Sequence, residues 1–265
     1  MDQTRFLSCL EADYQRIRAV APERLDQRVP TCPGWTVADL IRHVAQVYQH
    51  KVEIMRQGKE PEVWPPAGFG TADPLGLLDD SYSELSREFG SRDPGEACPT
   101  FYGPDQTVGF WSRRMAQETV VHRIDVELGA GAAVAPVPGD LAVDGVDELL
   151  HIFMGWGFTE WPEDFADALL NSPGHGCLIR ADATADSQAV SWLVRTGAGQ
   201  LTVEGGPGAV AGVTSLHDVS VVGSPAAVLR WAWNREAPGE DSPVTITGDL
   251  GAVTELRACL FEATQ

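Results

Sequence analysis

Two regimes of apolar spacing divide this chain, and together they limit the folds open to it. As far as residue 156, hydrophobic side chains recur at helical spacing over long stretches. The spacing predicts a helix over 4–20, with Leu7, Leu10, Tyr14, Ile17 and Val20 on one stripe. The breaker-rich VPTCPGWT follows, and Thr36 with Asp39 three residues on reads as an acidic variant of a capping box. A second helix is predicted from about Val37 to Arg56, stopping at Gly58. Lys51 interrupts its stripe, so its last turns are expected to be less buried than its first. Further helices are predicted over Leu75–Phe89, Val108–Leu128 and, after the small-residue linker AGAAVAPVPG, Leu141–Trp156. The loops expected between them cover about 59–74 and 90–106.

From Gly176 onward the runs shorten. CLIRADA, AVSWLVRT, GQLTVEG, HDVSVVG and VTITG read as strands between Gly-rich turns, with helices predicted in PAAVLRWAWNRE and LGAVTELRACLFEA. The expected fold class is α+β: a helical bundle over 1–165, a boundary in 160–175, and a small α+β domain over 176–265.

The formal net charge of −19 argues against nucleic acid and against an anionic membrane surface, since both need clustered Lys and Arg. No apolar run approaches the roughly 20 residues that span a bilayer, and the N-terminus has no long apolar core. The expectation is a cytoplasmic protein, monomeric or weakly dimeric. Its five scattered cysteines show no CxxC pair and read as free thiols.

The histidines carry the strongest chemical signal. Trp111, Met115, Glu118, His122 and Val126 are spaced 4, 3, 4 and 4, which stacks a carboxylate and an imidazole within one apolar helical face. A buried, unpaired carboxylate carries a penalty of several kcal/mol, so something must compensate it. A Glu–His hydrogen bond within the helix is one solution. A metal shared with His43, beside the buried stripe of the second helix, is the other. Two ligands at i and i+4 plus one from a facing helix make a workable set for zinc in a bundle core. The spacing is not that of HExxH, and there is no GxSxG elbow or P-loop; GAGAAVAP has no preceding strand. His50, seven residues after His43, is a candidate for a pocket wall or a partly exposed core edge. His151 reads as structural, His175 as part of a linker and His217 as the start of a strand. Asp125 has two readings, a partner for the His122 ring or a surface salt bridge, with the surface pair favoured. Cys32, before a helix N-terminus, reads as a turn residue.

Two blocks then become recognisable. Cys32-Pro33-Gly34-Trp35-Thr36-Val37-Ala38-Asp39-Leu40 followed by His43, and Glu118-Thr119-Val120-Val121-His122-Arg123-Ile124-Asp125, resemble the two signatures of the mycothiol-dependent maleylpyruvate isomerase family, of the DinB-like superfamily of metal-binding helical bundles. The resemblance implies a DinB-like four-helix bundle and places the family's ligand trio on His43, Glu118 and His122. It also implies a small α+β C-terminal domain whose helix ends in a Trp-x-x-Arg-like pattern with an arginine implicated in activity. The nearest segment is Trp231-Ala232-Trp233-Asn234-Arg235, making Arg235 the candidate and Arg230 its rival.

That family's chemistry implies a divalent metal, expected to be zinc, and mycothiol as a thiol cosubstrate, hence an actinobacterial source. The activated sulfur adds to a conjugated bond and leaves, which is cis–trans isomerisation, or attacks an electrophilic carbon and stays, which is S-transfer. Thiol transfer or exchange in secondary-metabolite biosynthesis is a variant of the second. A non-catalytic metal-binding or small-molecule-binding module is the remaining alternative.

Overall fold

A computed structural model of the chain describes residues 1–66, 69–209, 216–236, 239 and 242–264. Positions 67–68, inside the loop expected over 59–74, lie outside the described residues. The chain forms two compact units, Met1–Ala135 and Pro136–Gln265.

The first unit is a four-helix bundle of α1 (Gln3–Val20), α2 (Val37–Gln57), α3 (Pro74–Ser91) and α4 (Val108–Gly129). Contacts run α1 to α4, α2 to α3 and α2 to α4. Each helix begins on a side-chain cap: Asp2, Thr36, Asp73 and Thr107 accept from backbone N–H groups of the first turn. The capping box of α2 is complete, and Gly58 closes that helix at φ 66, the left-handed conformation glycine adopts without strain. Its last turns are as buried as its first. Val52, Ile54 and Met55 all lie inside, because α3 packs along the helix and covers the turns that Lys51 was expected to expose.

Helix α4 is buried nearly all round. Between α1 and α2 it has two protein-facing sides, so its interior polar groups bond one another. Arg123 donates to Asp13 at 3.0 Å and to Glu127 at 2.7 Å, Arg16 reaches Glu127 at 2.6 Å, and Tyr48 meets Thr119 at 2.6 Å.

The second unit opens with α5 (Gly139–Glu148), which widens into a π-helical segment, Leu149–Trp156, and continues through α6 (Gly157–Glu160) and α7 (Ala166–Leu169). Its five-stranded sheet runs β3-β2-β1-β4-β5, formed by β1 (His175–Ala181), β2 (Val190–Gly197), β3 (Gln200–Gly205), β4 (Val219–Gly223) and β5 (Thr245–Gly248). Strands β1 and β4 are parallel and the other pairs antiparallel. Helices α8 (Pro225–Ala232) and α9 (Leu250–Ala263) pack against β1 and β4. Trp192, Leu193, Val221, Val228 and Trp231 lie in its core.

The division falls at Ala135–Pro136, not in the expected 160–175. The reason is packing: α5 lies against α8, and the π-helical segment lies against β3 and α9. Helical periodicity identifies the apolar face of 141–156 but not its partner. Helix α8 also stops earlier than the expected residue 236. Asn234 takes φ 56, which ends the helix and leaves Arg235 beyond it. His175 is the first residue of β1 rather than part of a linker. Among the described residues, no helix is long and apolar enough to cross a membrane.

Candidate metal centre

His43 stands two turns into α2, and its neighbours Leu40, Ile41 and Val44 anchor that face in the core. Glu118 and His122 lie one turn apart on α4, which packs against α2. The helices bring three Lewis bases to one point. His43 Nε2 is 3.3 Å from Glu118 Oε1, and His122 Nε2 is 3.2 Å from the same oxygen. One ligand atom from each residue falls within 4.8 Å of the other two.

Those separations are longer than a charge-assisted hydrogen bond of about 2.7–2.9 Å. A tetrahedral ion with bonds of ~2.0–2.1 Å spaces its ligands by roughly 3.3 Å. A proton satisfies only one nitrogen–oxygen pair at a time, whereas a divalent cation satisfies all three lone pairs together. The donor set therefore fits a cation of zinc's type, two imidazoles and one carboxylate with room for a fourth ligand.

The surrounding groups fix each donor. Asp125 is fully buried and accepts from His122 Nδ1 at 2.9 Å, which leaves the Nε2 lone pair facing the cluster. Thr31 donates to the other Asp125 oxygen at 2.5 Å, and the Cys32 thiol lies 3.7 Å from Oδ2. Asp125 is therefore not the surface residue that the favoured reading expected. Its carboxylate orients His122 instead. Arg114, buried on α4, donates to Glu118 Oε2 at 2.5 Å and leaves Oε1 for the cluster. The Trp35 ring lies 5.1 Å from the ring of His43, whose side chain remains 35% exposed, so the cluster opens toward solvent on that side.

Without a metal the cluster stores a proton. Burial pulls the His122 pKa down, but the Glu118 charge and the bonds to Asp125 and Glu118 outweigh it and hold the ring at about 9. Burial pushes Glu118 up, but the His122 charge, the two imidazole hydrogen bonds and Arg114 hold it well below the usual carboxylate range. The carboxylate is therefore ionised and the His122 ring protonated at neutral pH.

The remaining sequence candidates are dispersed. His50 sits beside Lys51 and Trp64 on α2, with Nε2 at 3.0 Å from Glu60. His151 meets the Gly205 carbonyl and His217 meets Ser220, both in the second unit. Arg235 belongs to the second unit as well; its Nη1 donates to the Trp233 carbonyl at 2.6 Å, and its own carbonyl accepts from Arg230. Sequence reading passed over Arg114, although its position four residues before Glu118 is the ordinary spacing of a helical ion pair.

An α+β chain whose helical bundle carries a histidine–carboxylate cluster suited to a cation is a narrow class. Residues 9–127 match the model of the mycothiol maleylpyruvate isomerase N-terminal domain, and residues 140–255 match that of the MDMPI C-terminal domain. The chain belongs to the mycothiol maleylpyruvate isomerase family. Its fold is that of a crystal structure of the mycothiol-dependent maleylpyruvate isomerase, with a TM-score of 0.59, 17% identity and coverage of 94% of this chain and 95% of that one. A crystal structure of a mutant of that isomerase, with one histidine replaced by alanine, aligns with a TM-score of 0.59 at 15% identity over the same shares. No curated protein matches the chain in sequence.

Proposed function

We propose that this protein is a mycothiol-dependent metalloenzyme that adds a thiol to a small electrophilic substrate. The observation that carries the reading is the convergence of His43, Glu118 and His122 on one point, with each donor held by a further group. Family membership names the thiol. A divalent cation bound there, zinc by the chemistry of the donors, supplies Lewis acidity that favours the deprotonated form of a thiol.

The chain's own residues set the stage for that chemistry. Asp125 keeps the His122 proton on Nδ1, and Arg114 keeps Glu118 ionised. The partial exposure of His43 leaves an approach for the thiol and the electrophile. Arg235 remains the candidate for pairing with a substrate carboxylate. Its test is Arg235→Met, which lowers turnover and leaves metal content unchanged.

Isomerisation and S-transfer share this first half and differ in whether the sulfur departs. Incubating the metal-loaded protein with mycothiol and a conjugated unsaturated acid, and following products by mass spectrometry, separates them. Free thiol with altered alkene geometry identifies an isomerase; a stable thioether identifies a transferase. If neither product forms above the rate of the His122→Ala variant, the enzymatic reading fails and the non-catalytic module replaces it.

A further inference from the structure

In the second unit, helix α6 ends at Trp161, whose φ −134 and ψ 64 leave the helical region, and Pro162 begins a new turn that leads into α7. The bent segment faces the β2–β3 hairpin, which turns through Ala198 and Gly199, with Gly199 at φ 71. Between them is a cavity of about 740 Å³. Phe165, Leu169 and Leu201 line it as buried residues, Phe158 is half-buried, and Leu170 is 70% exposed. The rings of Phe158 and Phe165 meet edge to face at 5.8 Å. A concave, apolar space of this size is what a small-molecule ligand needs.

Charge is sorted sharply around it. The polar lining consists of Thr159, Gln200 and Thr202, and among the described residues no charged side chain takes part. Yet the segment 157–170 also carries Glu160, Glu163, Asp164 and Asp167, and all four are exposed. No Lys or Arg occurs between Arg123 and Arg180. Arg195, the only base of the hairpin, reaches back over Gly176 of β1, away from β3. An anion therefore meets negative charge on approach and no cation in the lining, and it would lose hydration worth several kcal/mol. An uncharged molecule meets neither obstacle. The exposed Leu170 beside an aromatic floor gives such a molecule apolar surface to cover.

We propose that this cavity binds an uncharged, largely apolar small molecule. The two phenyl rings and the leucines hold its hydrocarbon part, and Thr159, Gln200 and Thr202 supply hydrogen bonds to a hydroxyl or carbonyl group on it. The metal cluster in the first unit offers Lewis bases to a cation, whereas this cavity offers neither charge nor metal ligand. The inference stands independently of the thiol-transfer reading.

The probes are N-phenylnaphthylamine, an uncharged fluorophore, and anilinonaphthalene sulfonate, the same ring system with a negative charge. Each is titrated into the full-length protein at pH 7, with and without chelator. The wild type binds the uncharged probe saturably, and binds the sulfonate at least about tenfold more weakly because its charge finds no partner. Decanol displaces the uncharged probe and decanoate at the same concentration does not. Ala166→Trp, which fills the cavity, and Leu170→Asp, which charges its lining, each weaken binding about tenfold or more with melting temperature unchanged. Val63→Asp removes an exposed apolar residue of the first unit and keeps wild-type affinity, as does His122→Ala. The proposal is overturned if the sulfonate binds as tightly as the uncharged probe, or if Ala166→Trp and Leu170→Asp both bind like the wild type. It is overturned equally if binding is lost with chelator or in His122→Ala, since the probe then sits at the metal centre. A wild type that dimerises and binds no probe, beside a monomeric Leu170→Asp, assigns the cavity to a second copy of the chain and also overturns it.

Discussion

Glu118 holds its negative charge inside a bundle, 14% exposed, between two imidazoles and a guanidinium. A lone carboxylate there would be costly to desolvate, and Arg114 alone balances only one of its oxygens. Replacing it with glutamine keeps the shape and removes the charge. We expect Glu118→Gln to retain the helical circular dichroism of the wild type and to bind zinc at least about tenfold more weakly, as loss of a ligand demands. Asp125→Asn acts one step out. It should weaken the metal by about 10–100-fold while all three ligands remain, and unchanged affinity would show that the Nδ1 bond does not matter. Part of this was legible beforehand. The 4–3–4–4 spacing on α4 puts Glu118 and His122 on one buried face, and the signature blocks add His43. For Asp125 the sequence left two readings open, a partner for His122 and a surface pair, and favoured the surface pair. Spacing says that it lies one turn from His122, but only the fold of the VPTCPGWT segment brings Thr31 and Cys32 over it and excludes water.

Among the elements, α2 shows which signals survive translation into structure. Its start was readable because Thr36 and Asp39 bond each other's backbone within four residues, a local matter. Thr36→Ala should cost about 1 kcal/mol of stability, measured by denaturant unfolding. The burial of its last turns was not readable, because α3 supplies the cover and no local pattern announces it. The α2–α3 contact also carries an ion network. Glu88 on α3 accepts from Arg56 at 2.6 Å and Arg92 at 3.1 Å. Burial raises the Glu88 pKa, but the two guanidinium bonds outweigh it and hold the carboxyl below its usual 4.5. A folded pKa below the unfolded one gives stability that is present above pH 4.5 and lost as pH falls through the folded value. Since Arg56 is 36% exposed, solvent screening keeps the pair to about 1 kcal/mol or less. Glu88→Gln should therefore lower stability by that order at pH 7 and converge with wild type in acid. A difference that persists or widens in acid would contradict this assignment.

At the scale of the whole molecule, the α+β class followed from the two spacing regimes, and the boundary did not. Residues 139–156 have a helical stripe like those of the bundle, but they pack on α8, α9 and β3. A fragment of 1–135 should be monomeric and helical, whereas 1–165 should self-associate through the unpartnered stripe of α5; light scattering distinguishes them. The account as a whole rests on one site in the first unit. The most direct measurement is the metal content of full-length protein purified without chelator, by plasma mass spectrometry, beside the His122→Ala variant. The account predicts about one equivalent of a divalent metal, zinc foremost, in the wild type and near none in the variant, as three protein ligands require. A wild type that holds no stoichiometric metal and takes up neither added zinc nor nickel would contradict it.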